Sequence, residues 1–157
     1  VSSDQRLRCE GLTVIAGAYH QDCNNYFHYW VDVIGDLWFL VQHGVELENV
    51  DHFLLPYAGL SWQVQILEMC QIPVSKIIPL SQYQRFNVDR LVLAWREKGA
   101  RTVPNYLSQA MTEMCTYRPS QTKRSGQRIY ITRRNAKRRP MRNESIVIEY
   151  LQSIGFV

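Results

Sequence analysis

VDHFLLPYAGLSWQVQILEMCQIPVSKIIPL, residues 50–80, is the stretch that decides the fold. A short apolar run, 50–56, closes on Pro56 and suits a buried strand. Trp62 to Gln71 then returns to helical spacing, and a second short apolar run follows at 75–80. Strand, helix and strand within roughly thirty residues is the unit from which parallel sheets are built, because parallel neighbours need a crossover longer than a hairpin turn. Working outward, a third strand is expected at 88–94 (VDRLVLA) and a helix at 104–115, where Pro104 stands in the first turn and its missing N–H leaves no bond unmade. Strands and helices alternate, so the expected class is α/β rather than sandwich or bundle.

Upstream, NNYFHYWVDVIGDLWFLVQH, 24–43, sets Phe27, Trp30, Val31, Ile34, Leu37, Trp38 and Val41 three and four apart. That is the pattern of an amphipathic helix, with Asn24 or Asn25 as N-cap and Gly44 as its stop. Gly35 in its interior costs about 1 kcal/mol relative to alanine, which suggests close packing there. Downstream, 116–127 loses the apolar period and reads as a linker. RIYIT, 128–132, alternates like a strand. After a basic run comes a helix over 143–153, with Asn143 as cap, Ile146, Val147, Tyr150 and Leu151 as its apolar stripe, and Gly155 as its end.

At 157 residues the length suits one domain, which would bury roughly 68–70% of the surface its unfolded chain exposes. The net charge of +4 is unevenly spread. Residues 1–122 carry nine Lys/Arg against twelve Asp/Glu, and residues 123–157 carry nine against two. A local positive patch attracts anions at one place, whereas a uniformly basic chain would coat a polyanion. Cys9, Cys23, Cys70 and Cys115 lie far apart without CxxC pairing, so buried free thiols are expected and no zinc site is indicated. No apolar run approaches the roughly 18 residues of a membrane span. The chain opens at Val1 without methionine and closes on Gly155-Phe156-Val157, which reads as the start of another strand; a piece of a longer protein is expected.

Two constellations carry chemistry. The first is ITRRNAKRRPMRNE, 131–144, with six Arg or Lys in fourteen positions and no acid before the last. It lies between the end of a strand and the start of a helix, where unpaired N–H groups and the helix dipole favour anions. Arg133, Arg134, Lys137, Arg138, Arg139 and Arg142 would add cations able to pair with phosphate oxygens. A solvated loop is the bland alternative. Nucleic acid is a third, weakened because single-strand binders interleave stacking aromatics with their cations and only Tyr130 is close by. The second constellation is His28, Asp32 and Asp36, spaced i, i+4, i+8 along the first helix and therefore nearly on one face. A His beside a carboxylate can be oriented and kept basic, and either group could take a proton from an attacking hydroxyl. The competing reading is an ordinary outer face. Tyr26, Tyr29, Trp30 and Trp38 at helical spacing read as core before they read as sugar-stacking rings. GxGxxG, GxxxxGK[ST], HExxH and GxSxG are absent.

NYFHYWVDVIGDLWFL, 25–40, resembles the aromatic-His-x-x-x-Asp helix of the family 61 glycosyltransferases, a group that includes bacterial capsular polysaccharide enzymes, plant xylan transferases and animal O-linked GlcNAc transferases. RIYITRRNAKRRPMRNESIVIEYLQSIGF, 128–156, resembles that family's strand, its Ser/Thr-Arg and basic loop, its Asn-Glu helix and its closing Gly-Phe. Tyr29 and Gly35-Asp36 stand where the family often has Trp and Pro-Arg.

The resemblance implies a GT-B architecture of two Rossmann-like lobes with a nucleotide-sugar in the cleft between them. On that pattern 1–115 is the N-terminal lobe, 116–127 a linker, and 128–157 the start of a donor-binding lobe that this chain does not complete, so the chain alone is expected to be inactive. The implied reaction is inverting transfer of a sugar from a nucleoside diphosphate to a hydroxyl on a glycan or glycoprotein, with no cofactor and no obligatory metal. By position, Thr132, Arg133 and Arg138 would face the donor diphosphate, Asp32 or His28 would be the base for the acceptor hydroxyl, and Asn143 and Glu144 would cap a helix. The implied partners are a nucleotide-sugar donor and a hydroxyl acceptor, without nucleic acid or a membrane segment. The implied compartment is the cytoplasm in a bacterium or the ER and Golgi lumen in a eukaryote. The alternatives are a nucleic-acid-binding module using 133–142 and a non-catalytic interaction domain.

Overall fold

Strands form where the apolar runs predict them, and one forms where none was read. The structure, a computed structural model, describes residues 6–18, 24–83, 85–95, 105–115, 126–136 and 140–157. The chain divides into two compact units, Val1–Tyr117 and Arg118–Val157.

In the first unit, β1 (Arg6–Ile15), β2 (His52–Leu55), β3 (Ile77–Pro79) and β4 (Arg85–Leu93) form one sheet in the order β3-β2-β1-β4. All three pairings are parallel. β2 and β3 fall inside the runs at 50–56 and 75–80, and β4 starts three residues before the run at 88–94 because Arg85 pairs with Arg6. β1 is the unread strand. Its register shifts between Cys9 and Leu12, which breaks the alternation a strand is recognised by. Gly11 makes that bulge possible: its φ is +83°, and a Cβ there would lie 2.1 Å from Oδ2 of Asp51. The N–H groups of Gly11 and Leu12, turned out of the ladder, donate to Asp89 and Asp51.

One sheet face, built from Val14, Phe53 and Leu55 with Leu12, Ile77 and Val92 beside them, packs into the core. Fully burying such side chains stabilises the fold by about 1.5–3 kcal/mol each. The first helix covers that face. It runs as α1 (Tyr26–His28), a π-helical stretch Tyr29–Ile34 and α2 (Gly35–Gln42). Asn25 caps it, its side chain accepting from the His28 N–H at 3.2 Å, and Gly44 at φ +86° lies just beyond its end. The expected amphipathic face is corrected: every residue from Tyr29 to Trp38 is buried. A helix apolar nearly all round belongs in an interior. α4 (Leu107–Met114) packs on it, where Trp38 stacks on Tyr106 at 4.9 Å and donates through Nε1 to Glu113 at 2.6 Å. Pro104 lies outside the described residues.

α3 (Ser61–Met69) opens with Gln63 reaching back to accept from the N–H groups of Ala58 and Leu60. This braces the loop that leaves β2. Cys9 and Cys70 are buried free thiols and Cys115 is partly buried; Cys23 is outside the described residues. Burial pushes the Cys70 thiol up to about 12, with the Cys115 thiol beside it adding to the shift.

The second unit holds α5 (Glu144–Ser153). The strand expected at 128–132 is corrected to a single parallel bridge, Arg128 with Phe156. Val157 N–H donates to Arg128 O at 2.9 Å, and Tyr130 N–H donates to Val157 O at 3.0 Å. A strand is a ladder with a neighbour, and among the described residues only 156–157 supplies one. The apolar stripe of α5 is also rotated from the expected one: Val147, Ile148 and Leu151 turn inward while Ile146 and Tyr150 are exposed. Asn143 occupies the cap position without a side-chain capping bond. Most of the expected linker, 116–125, lies outside the described residues. No described helix is long and apolar enough to cross a membrane.

Candidate active site

From β1 the chain steps to β2 and then β3 in one direction, and β4 lies on the other side of β1. The order therefore reverses between β1 and β4, and in open parallel sheets ligands bind outside the carboxyl ends at such a reversal. The chain leaving that end of β1 is Ala16 and Gly17, and the next described element is the helix that carries His28, Asp32 and Asp36.

Gly17 locks the turn to the helix. Its φ is +69°, and a Cβ would lie 2.6 Å from Cγ2 of Val33 and 3.1 Å from Cγ of Pro56. Its N–H donates to Oδ2 of Asp36 at 3.1 Å. Four residues earlier along the helix is Asp32, and Nδ1 of His28 lies 2.9 Å from its Oδ2. Asp32 is 1% exposed and the His28 side chain 27% exposed. Burial sets aside the outer-face alternative for the two aspartates, since ionised carboxylates enter an interior only with partners. With the carboxylate as acceptor Nδ1 is the donor, and a neutral imidazole held this way carries its lone pair on Nε2. The π-helical stretch, closed by the Gly35 N–H to the Trp30 carbonyl, contains Asp32 and widens the helix there; such bulges recur at functional sites.

In the second unit, the carboxylate of Glu144 gathers the turn that carries Thr132 and Arg133. Its Oε1 accepts from Thr132 Oγ1 at 3.0 Å, from Tyr130 OH at 3.1 Å and from the Arg133 N–H. Thr132 Oγ1 accepts in turn from the Arg134 N–H at 3.1 Å, and Ala136 N–H donates to Arg133 O at 2.8 Å. Glu144 is buried at the first position of α5, where the dipole favours a negative charge. The Arg133 N–H, the Thr132 and Tyr130 hydroxyls and the nearby Arg134 charge together hold its carboxyl below the usual range, against the opposing effect of burial. Tyr130 is pushed up by desolvation and by Glu144.

The predicted residues thus form two groups. His28 and Asp32 are in contact, and Thr132 and Arg133 share Glu144. Arg138, with Lys137 and Arg139, lies outside the described residues. Glu144 was read only as a cap, and Gly17 was not singled out. The signal for Glu144 was available: one acid closing a run of six cations. A cavity of about 620 Å³ opens at the opposite edge of the sheet, among Leu47, Glu48, Pro73 and Lys76 ahead of β2 and β3, and holds none of the predicted residues. A recess of about 180 Å³ beside Thr132 and Phe156 is below the usual size of a small-molecule site. Among the described residues no group of three or more His, Cys, Asp or Glu could hold a metal ion.

Comparison with known proteins adds one finding. The family model described as Glycosyltransferase 61 matches residues 26–157. The chain belongs to the glycosyltransferase 61 family. No curated protein and no solved structure matches it. The glycosyltransferase 61 match begins at Tyr26, the first residue of α1, and takes in the His28–Asp32 pair and the Glu144-centred turn alike. A glycosyltransferase 61 chain is a transferase with a donor and an acceptor substrate.

Proposed function

We propose that this chain carries residues for inverting transfer of a sugar from a nucleoside diphosphate to a hydroxyl of a glycan or glycoprotein. The observation that carries the reading is the 2.9 Å contact between a nearly inaccessible Asp32 and a partly exposed His28. On this reading Asp32 orients the imidazole and stabilises the positive charge it gains as Nε2 of His28 takes the proton of the acceptor hydroxyl. The freed oxygen attacks the anomeric carbon from the side opposite the leaving group. The bond from that carbon to the diphosphate oxygen breaks, and the negative charge passes to the diphosphate, where Arg133 and Arg138 stabilise it. Thr132, hydrogen-bonded to Glu144, sets the turn that carries Arg133. No obligatory metal and no cofactor enter the proposal.

The same reading assigns 1–115 to a Rossmann-like lobe, 116–127 to a linker and 128–157 to the opening βα unit of a GT-B donor lobe. The order β3-β2-β1-β4 supports the first assignment, because it is the order of the first four strands in the doubly wound dinucleotide fold. The parallel bridge between Arg128 and Phe156 supports the last, because it is the start of a pairing across a helix. The test is release of nucleoside diphosphate by the full-length protein from UDP- and GDP-sugars, with and without oligosaccharide acceptors. Acceptor-dependent release is expected; no release and no nucleotide binding would remove the proposal.

A further inference from the structure

The free thiols of the first unit are not placed alike. Cys9 is fully buried in β1 with the Thr13 hydroxyl beside its sulfur. Cys70 and Cys115, far apart in the chain, meet in space: their side chains share a hydrogen bond. Each closes a helix, Cys70 at the end of α3 and Cys115 at the end of α4. Cys70 belongs to the buried core, and Cys115 packs against that core while staying partly exposed. Cys70 also stands in the wall of the cavity of about 620 Å³, next to Met114, the neighbour of Cys115. The two thiols differ in reactivity. Burial raises both, and Cys115 pushes Cys70 further, to about 12. At Cys115 the S–H of Cys70 works against burial by donating to the thiolate. Cys115, the more exposed and the first to ionise, is therefore the nucleophile of the pair, since the thiolate is the form that attacks.

We infer that Cys70 and Cys115 are a site of disulfide formation, a redox-sensitive clasp between the end of α3 and the end of α4. The oxidant is a small disulfide such as oxidised glutathione. The Cys115 thiolate attacks one of its sulfurs, the S–S bond of the oxidant breaks, and one glutathione thiolate leaves with the electron pair. Cys70 gives up its proton and attacks the Cys115 sulfur of the mixed disulfide, which releases the second glutathione. Two protein thiols are oxidised to one disulfide, one disulfide is reduced to two glutathione thiols, and the two protons pass to those thiols. The segment between the cysteines carries β3, β4 and α4. Closing it into a loop removes conformations from the unfolded chain. In the folded chain the clasp holds α4 where Glu113 accepts the Trp38 indole N–H. Trp38 belongs to the helix that carries His28 and Asp32, so the clasp steadies the cover of that helix.

Peptide mapping tests this on the full-length protein. The reduced, folded protein is incubated with oxidised glutathione, remaining thiols are blocked with N-ethylmaleimide, and the digest is read by mass spectrometry. The expected product is a peptide pair joined through Cys70 and Cys115, lighter than its two separate peptides by two hydrogens. The oxidised protein should melt about 5–15 °C higher than the reduced one, and dithiothreitol should reverse the shift. Cys115→Ser should leave Cys70 open to the blocking reagent under denaturing conditions and remove the shift. Cys70→Ala should stop at a mixed disulfide of Cys115 with glutathione, also without the shift. The wild-type map decides the matter even where the core change at Cys70 fails to fold. Wild-type Cys115 that stays reduced or halts at the mixed disulfide would overturn the inference, as would pairing of either residue with Cys9 or Cys23. A Cys70–Cys115 link that leaves the melt unchanged would overturn the clasp.

Discussion

The N–H of Gly17 donates to Oδ2 of Asp36 at 3.1 Å, joining the chain that leaves β1 to the helix that carries His28. The contact stands on two constraints at once, a left-handed φ and a space too small for a methyl group. Asp36 therefore serves the fold at the edge of the candidate site.

Gly17→Ala should destabilise the first unit by about 2 kcal/mol or more, from left-handed strain together with overpacking against Val33. The melting temperature should fall by roughly 5–10 °C. Asp36→Ala leaves a buried N–H without its acceptor and should cost about 1–3 kcal/mol. The double variant should cost less than the sum, because both changes break one contact. Calorimetric melts of the three variants check this, and an unchanged Gly17→Ala melt would contradict the packing described.

Glu144 gives a pH dependence with a definite sign. Its folded pKa is depressed, chiefly by the Arg133 N–H. The bonds it makes are therefore fully present above the ordinary carboxylate pKa of about 4.3 and are lost as pH falls through the lower folded value. Hydrogen exchange at the Arg133 amide, expressed as a protection factor, should be flat above about pH 5 and fall in stronger acid. Glu144→Ala should abolish the protection at every pH. Protection that survives the substitution would show that the turn does not depend on this carboxylate.

Arg133→Ala and Arg138→Ala should each weaken binding of UDP or GDP by the full-length protein about tenfold, the order expected for loss of a charge-assisted hydrogen bond. Binding of short RNA or DNA should stay weak and fall steeply with salt. Titration calorimetry at two salt concentrations reads both. Tight, sequence-tolerant nucleic-acid binding by the wild type would favour the basic turn as a nucleic-acid module.

Much of the fold was legible in the chain because its signals are local. The runs at 50–56 and 75–80 contain β2 and β3, and the spacing over 62–71 contains nearly all of α3. β1 was not legible, since Arg6, Arg8 and Glu10 alternate with residues that only its neighbours bury, and the Gly11 bulge resets the phase. Residues 128–132 misled for the opposite reason: RIYIT has strand chemistry, but a strand also needs a partner, and that is a property of the rest of the chain. The same division holds at the candidate site. The i, i+4 contact of His28 with Asp32 follows from helix geometry, whereas the burial of Asp32 comes from the elements packed around the helix. Glu144 was readable as a helix start, yet its bonds run to residues 11 to 14 positions earlier, a separation that periodicity does not report.

Asp32→Asn in the full-length protein is the most direct measurement, because it changes one atom of the contact on which the transferase reading stands. Single-turnover transfer from a nucleotide-sugar should slow by about a hundredfold to ten-thousandfold, while the affinity for the nucleoside diphosphate stays within about twofold. A transfer rate equal to wild type would contradict the account, since the imidazole of His28 would then need no buried carboxylate behind it.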